Sequence, residues 1–268
     1  MPISPSPTAD TGAEMARLRA AYLDLMRDSL IGRLNADPEV PVQPQAEPHA
    51  AATAPYEDKR RELGWDWPSQ APSMIGYWRM QNVRSECERV LNEGVPGDFM
   101  ETGVWRGGAA MMMRAVLKAY GVLERRVIAA DSFAGFPAPV AASIDASFQH
   151  AANPFFAVPL AEVKAGFQRY GLLDDQVVFL EGFFKDTLPT APVAALAVLR
   201  LDGDMYESTR DGLTYLYDKL SPRGTLIVDD YFLFDQQRQA VDEFRAARGI
   251  ADPIVQVDYF GGYWIKSA

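Results

Sequence analysis

Ala197-Val-Leu-Arg-Leu-Asp-Gly-Asp-Met-Tyr206 is an apolar run that ends abruptly in two carboxylates separated by one glycine. Four of its first five residues are apolar, the composition of a parallel strand buried on both faces. In open α/β sheets ligands collect just outside the carboxyl ends of such strands, so Asp202 and Asp204 stand where chemistry is usually done. A second run, Gly224-Thr-Leu-Ile-Val-Asp-Asp-Tyr231, ends the same way in Asp229 and Asp230. Outward from these two, strands and helices alternate. Asp98 to Thr102 reads as a strand, Gly107 to Tyr120 as a helix, Arg126 to Asp131 as a strand, Leu160 to Tyr170 as a helix and Val177 to Glu181 as extended. Val198 to Leu201 and Thr225 to Val228 are extended, with helices over Ser208 to Lys219 and Gln236 to Arg248, the latter stopped by Gly249. Ile254 to Val257 and Tyr263 to Ile265 flank Gly261-Gly262 as an antiparallel hairpin. The pattern predicts an α/β fold of right-handed βαβ units, with a seven-stranded, mostly parallel sheet closed by one reversed strand.

The bulk properties narrow the partners. A formal net charge of -10 repels a nucleic-acid backbone and an anionic membrane alike, leaving a small molecule or a protein. The single cysteine, Cys87, can form no disulfide within the chain, which fits a reducing compartment. The only histidines are His49 and His150, too few for a His-rich zinc site. There is no basic segment followed by an apolar core, and no run approaches the roughly eighteen apolar residues of a membrane span. The expected location is cytoplasmic.

The amino-terminal third is different in character. Residues 1–12, rich in Pro, Ser and Thr, read as disordered, and Glu14 to Leu34 as an amphipathic helix; Ala36 to Pro55 carries the prolines and alanines of a linker. Trp65 to Trp78 is dense in aromatics and serves either as a cover over a site or as core packing. Tyr77 to Asn92 reads as a helix. Between the second strand and the next helix, Phe136 to Pro159 is too long and irregular for a plain connection, and such loops are often lids.

The first strand runs into Glu101-Thr-Gly-Val-Trp-Arg-Gly-Gly108, where glycines permit the sharp turn and close approach that a nucleotide-type cofactor needs. The spacing is not G-x-G-x-x-G, and Arg106 is not the lysine of a phosphate loop. Asp131 ends the second strand and either accepts hydrogen bonds from ribose hydroxyls or caps the turn at Ser132-Phe133. Glu101 favours a cationic ammonium over a pyrophosphate, which points towards S-adenosylmethionine and away from NAD. The four carboxylates at the later strand ends are hard oxygen donors suited to Mg²⁺, Ca²⁺ or Mn²⁺. Asp202, Asp229 and Asp230 are read as a cation site, because an uncompensated acidic cluster is costly, and Asp204 as the cap of the following helix. As general base Asp202 comes first and His150 second; for His150 an ordinary loop histidine is the competing reading.

Five stretches together carry a family resemblance: Gly97-Asp-Phe-Met-Glu-Thr-Gly-Val-Trp-Arg-Gly-Gly108, Ala130-Asp-Ser-Phe-Ala-Gly-Phe-Pro137, Arg169-Tyr-Gly-Leu-Leu-Asp-Asp-Gln-Val177, Asp202-Gly-Asp-Met-Tyr206 and Asp229-Asp-Tyr231. From about Ser73 to Lys266 the chain resembles the macrocin O-methyltransferase family, the TylF/MycF-type enzymes. The resemblance implies a Rossmann-like class I methyltransferase fold that uses S-adenosylmethionine and Mg²⁺ to methylate a sugar hydroxyl of a glycoside. It implies metal ligands at Asp202, Asp229 and Asp230. Cofactor contacts follow from Ser73, Met74, Glu101, Thr102, Gly103, Val104, Trp105, Asp131, Ser132, Phe133, Gly135, Gly182 and Phe183. The expected division is an N-terminal helix and linker over 1–55, a helical cover over 56–96 and the methyltransferase domain over 97–268. The competing acceptor is a catechol-like phenol, and the competing class a nicotinamide-dependent oxidoreductase. A homodimer in which the first helix contacts the other subunit is the expected assembly.

Overall fold

The computed structural model describes residues 11–41 and 53–268. The disorder expected for residues 1–12 therefore lies, as far as residue 10, outside the described residues, as does the linker between 42 and 52. In chain order the elements are α1 (Thr11–Leu30), β1 (Glu39–Val40), α2 (Asp58–Leu63), β2 (Trp67–Pro68), α3 (Gly76–Asn92), β3 (Asp98–Thr102), α4 (Gly108–Tyr120) and β4 (Val127–Asp131). There follow α5 (Leu160–Arg169), β5 (Val177–Glu181), α6 (Phe184–Thr187), β6 (Leu196–Leu201), α7 (Tyr206–Leu216), β7 (Leu220–Val228), α8 (Asp235–Arg248), β8 (Val255–Gln256) and β9 (Gly262–Ile265).

The main sheet has seven strands in the order β5-β4-β3-β6-β7-β9-β8. Strands β3 to β7 pair in parallel, while β9 pairs antiparallel with both β7 and β8, so β9 alone is reversed. Every residue of β6 is buried, as its apolar run requires. Register does the positioning: Thr102 lies beside Leu201, and Leu201 beside Val228. The next residues, Gly103, Asp202 and Asp229, therefore emerge side by side at one edge of the sheet. Gly103 makes this close approach possible. Its φ is +87°, and a Cβ there would stand 1.8 Å from the Asp202 carbonyl oxygen.

Some boundaries move, for local reasons. The first helix ends at Leu30 rather than Leu34, because the buried Arg61 guanidinium donates to the carbonyls of Ile31 (2.7 Å) and Asp37 (2.8 Å) and gathers the chain into a turn. β7 begins at Leu220, five residues before Thr225, since Leu220 already pairs with Leu196 across an irregularity in the ladder. The amino-terminal segment packs onto the rest: α1 lies against α3 and α4, and Leu23, Met26, Leu30 and Ile31 join the hydrophobic cluster that contains Phe99, Met112 and Val127. Glu39–Val40 pairs with Trp67–Pro68, fastening the segment before the aromatic stretch to it.

Candidate active site

A cavity of about 490 Å³ opens at the carboxyl ends of β3, β4, β6 and β7, within the range of small-molecule sites. The aromatic stretch forms one wall with Trp65, Trp67, Ser73, Met74 and Ile75, and Ile75 also joins the buried hydrophobic cluster, so the stretch both lines the cavity and packs on the core. The long loop after β4 forms another with Phe136, Val140, Asp145, His150 and Phe156. The cover can dock because Gly108 opens α4: a Cβ there would meet the Ser73 Cβ at 2.4 Å and the Pro72 carbonyl oxygen at 2.8 Å.

Most of the residues expected to hold a cofactor line this cavity. Ser73, Met74, Glu101, Gly103, Val104, Trp105, Asp131, Ser132, Gly135 and Phe183 are on its wall. Thr102, Phe133 and Gly182 are not. Thr102 is buried and donates its hydroxyl towards the Arg200 carbonyl (3.4 Å), and Phe133 is buried with its ring 6.3 Å from that of Phe179. Asp131 performs the turn-capping role: one oxygen accepts from Val104 N (2.6 Å) and Trp105 N (3.2 Å), the other from Phe133 N (2.8 Å). The Ser132 hydroxyl donates to that second oxygen as well (3.4 Å), so the roughly four acceptor positions of the carboxylate are all addressed. Burial raises its pKa, and the N–H groups act against that.

Glu101 is not the free negative charge the sequence suggested. One oxygen accepts from Ala110 N at the start of α4 (2.9 Å), and the other meets the Arg200 guanidinium. Burial still pushes its carboxyl up to about 8 against the pull of Arg200. Arg200 is the residue sequence reasoning passed over, and it carried a signal: it is the one charge inside a buried apolar strand, which must find partners. Its Nη1 lies 2.8 Å from Asp202 and its Nη2 2.6 Å from Asp229. Arg79, also unanticipated, comes from the aromatic cover's end of α3. Its Nη1 donates to Asp229 (2.5 Å) and Asp230 (3.2 Å), and its Nε lies 3.2 Å from Asp258.

The acidic cluster is therefore arranged differently from the expectation. Asp229 faces two guanidiniums. Burial works against its charge, but Arg200 and Arg79 hold its carboxyl below the usual range. The carboxylates that converge are those of Asp202, Asp204 and Asp230, one oxygen from each lying within 4.8 Å of the others. Asp204, with φ +54°, does not cap α7. Its position falls one residue short of the N-cap, Met205, and the amides of Tyr206 and Glu207 are held instead by Asp145 of the long loop. Burial, then the neighbouring Asp230 and Asp202, raises Asp204 well above the usual carboxylate range. Burial, then Asp229, raises Asp230 likewise, and burial pushes Asp202 up to about 6. Among the described residues, the cations paired with Glu101, Asp202, Asp229, Asp230 and Asp258 are Arg79 and Arg200, and Asp204 converges on the same cluster. Three converging hard oxygens with excess negative charge suit a divalent cation of the Mg²⁺ or Mn²⁺ kind.

His150 lines the cavity among Trp67, Phe148, Phe156 and Phe234, with ring centroids 5.6 to 6.4 Å away. Burial lowers its pKa. It is an aromatic-cage residue rather than an exposed loop histidine.

Among the described residues no helix is long and apolar enough to cross a membrane. The sequence profile described as Macrocin-O-methyltransferase (TylF) matches residues 19–266. A Streptomyces olivaceus protein named 8-demethyl-8-(2,3-dimethoxy-alpha-L-rhamnosyl)-tetracenomycin-C 4'-O-methyltransferase is 48% identical over 93% of this chain and 94% of its own length. The Mycinamicin III 3''-O-methyltransferase of Micromonospora griseorubida is 45% identical over 96% of this chain and 98% of its own. Among solved structures, the O-methyltransferase NovP superposes with a TM-score of 0.86 at 45% identity, covering 93% of this chain and 100% of that one. With the glycine turn, the acid-ended strands and the profile match in agreement, the chain belongs to the macrocin O-methyltransferase (TylF) family and is an O-methyltransferase.

Proposed function

We propose that the protein moves a methyl group from S-adenosylmethionine to a sugar hydroxyl of a glycosylated natural product, with a divalent cation, Mg²⁺, held at the acidic cluster. The observation that carries the reading is the convergence of Asp202, Asp204 and Asp230 in the same cavity as the Gly103–Trp105 turn and Asp131. Two relatives are named for O-methylation at primed positions, 4' of a rhamnosyl-tetracenomycin and 3'' of mycinamicin III, which supports a glycoside acceptor. S-adenosylmethionine is assigned to the wall formed by Ser73, Met74, Glu101, Gly103 to Trp105, Asp131, Ser132, Gly135 and Phe183, with Asp131 accepting from the ribose in exchange for its long Ser132 contact.

Asp202 and Asp230 are the two cation ligands on which strand-end position and geometry agree. When bound, the ion supplies Lewis-acid activation of neighbouring acceptor hydroxyls. Arg79 and Arg200 keep Asp229 ionised and fix the positions of Asp202 and Asp230 from behind. Asp204 has no guanidinium beside it; ionised once a cation offsets the burial and the neighbouring Asp230 and Asp202 that hold its proton, it would take the place of Asp202 as the group that accepts the acceptor's proton, while the acceptor oxygen bonds to the sulfonium methyl and S-adenosylhomocysteine leaves as the neutral thioether. His150 stays neutral within its aromatic cage and shapes the acceptor side.

The test is transfer of labelled methyl to a panel of glycosides and catechols, with and without excess chelator. Glycoside methylation that stops in chelator is expected; catechol methylation alone replaces the acceptor class, and full turnover in chelator removes the metal. Mn²⁺ binding to Asp202→Asn, Asp204→Asn and Asp229→Asn sorts the roles. Asp202→Asn should lose binding and Asp204→Asn should lose turnover; a loss of Mn²⁺ by Asp229→Asn as deep as that of Asp202→Asn returns Asp229 to the ligand set.

A further inference from the structure

The loop between β4 and α5 is fastened to both acid-bearing strand ends through a single turn of 3-10 helix, Ile144–Ser147. Asp145 in that turn is fully buried, and both its oxygens are used: Oδ1 accepts from Tyr206 N at 2.7 Å and Oδ2 from Glu207 N at 3.0 Å. These are the first two amides of α7, which has no side-chain cap of its own because Met205 occupies the N-cap. The local acid that could have turned towards them, Asp204, faces Asp230 instead. A carboxylate 61 residues away in sequence thus satisfies the helix start, and charge-assisted bonds at a helix N-terminus are among the stronger of their kind.

The same turn is held from the other acidic loop. Gln236, at the start of α8, donates from Nε2 to Ser147 Oγ at 3.0 Å and lies 3.5 Å from the Ile144 carbonyl oxygen. Its neighbour Gln237 accepts from Asp230 N at 2.8 Å. Phe148 then packs edge-on against Phe234 (5.4 Å) and Phe136 (5.0 Å). The turn itself is set by Ser143, whose hydroxyl accepts from Asp145 N at 3.2 Å. One turn of the loop therefore bridges the Asp202–Asp204 loop and the Asp229–Asp230 loop, gripping the first at Tyr206 and Glu207, directly after Met205.

We propose that Asp145 is a positioning residue: by seating the loop on the start of α7 it sets the spacing of Asp204 and Asp202 against Asp230, so the carboxylate cluster is complete only when the loop that covers the acceptor is closed. This rests on the reading of the cluster given under Proposed function. The backbone at Asp204 is in the left-handed region, φ +54°, which a non-glycine residue keeps only when its surroundings impose it; Asp145 imposes it from downstream. Small misplacements of groups at a reacting centre cost large factors in rate.

The test uses the full chain with Asp145→Ala, Asp145→Asn and Gln236→Ala. Amide hydrogen exchange of a peptide over residues 202–210 reports the contact itself and needs neither metal nor turnover. Exchange at Tyr206 and Glu207 should be at least about tenfold faster in Asp145→Ala, with Asp145→Asn in between because its amide oxygen keeps one acceptor. Mn²⁺ affinity measured by electron paramagnetic resonance should fall about fivefold or more, and kcat about tenfold or more, with S-adenosylmethionine affinity within twofold of wild type. Gln236→Ala should move the same readouts in the same direction by less, which keeps the proposal open to refutation where Asp145→Ala does not fold. Faster exchange with unchanged Mn²⁺ affinity and kcat would show a helix cap and nothing more, and unchanged exchange would show that the contact is not made. If wild type binds no Mn²⁺, the metal reading fails by itself; the exchange and kcat arms still decide the role of Asp145.

Discussion

Arg200 shows how much a single side chain carries here. It lies in a fully buried strand and contacts Glu101, Asp202 and Asp229. Breaking a buried ion network by removing one partner leaves uncompensated charge and costs about 3–5 kcal/mol. Arg200→Met is expected to lose stability on that scale, checked by denaturant unfolding. Asp202 and Glu101 tie stability to pH. Both carboxyls are raised in the folded protein, to about 6 and about 8. The folded state therefore keeps protons that the unfolded chain has already released, and stability falls as pH rises through this window. In chelator the melting temperature should drop between pH 5 and pH 8 (roughly the span between the unfolded and folded values). Added Mg²⁺ should restore it more at the upper end, since it favours the ionised carboxylates. A Mg²⁺ stabilisation equal at both ends would count against the cation site.

At the scale of elements, the junction of the aromatic cover with α4 is decisive. Gly108 lets Pro72 and Ser73 sit on the first turn of the helix, and a Cβ there would collide with backbone as well as side chain. Gly108→Ala should cost about 1–3 kcal/mol, the usual cost of overpacking. It should also weaken S-adenosylmethionine binding, measured by calorimetry, because the displaced segment carries Ser73 and Met74. A loss of stability with unchanged cofactor affinity would separate the cover from the cofactor site. The strand ends were legible in the sequence because period, composition and terminal acids all agree. Residue-by-residue roles at those ends were not. Asp202 and Asp204 have the same chemistry and differ only in what stands beside them, Arg200 in one case and Asp230 in the other.

For the molecule as a whole, α1 belongs to the core on one side and is bare on another. Leu23 and Leu30 are fully buried, whereas Met15, Leu18 and Leu25 are 57%, 60% and 57% exposed. We propose that the exposed stripe meets a second copy of the chain. Leu18→Glu should halve the mass in solution and leave the monomer's unfolding free energy nearly unchanged; an unaltered mass removes this interface. Leu23→Ala, by contrast, should cost about 2–5 kcal/mol as a core truncation, so deleting the helix outright would confound assembly with folding.

By itself the sequence determined the α/β alternation, the reversed strand near the end, the glycine turn after the first strand and the presence of four acids at two strand ends. These are local properties, written in period and composition along a few consecutive residues. Which acids face a guanidinium and which face each other, and that Asp145 rather than Asp204 caps α7, was decided only by tertiary structure. Arg79, one of the two guanidiniums on Asp229, and Asp145, the partner of the Tyr206 amide of α7, lie 150 and 61 residues away in the chain, and only the packed fold brings a charge that distant within reach.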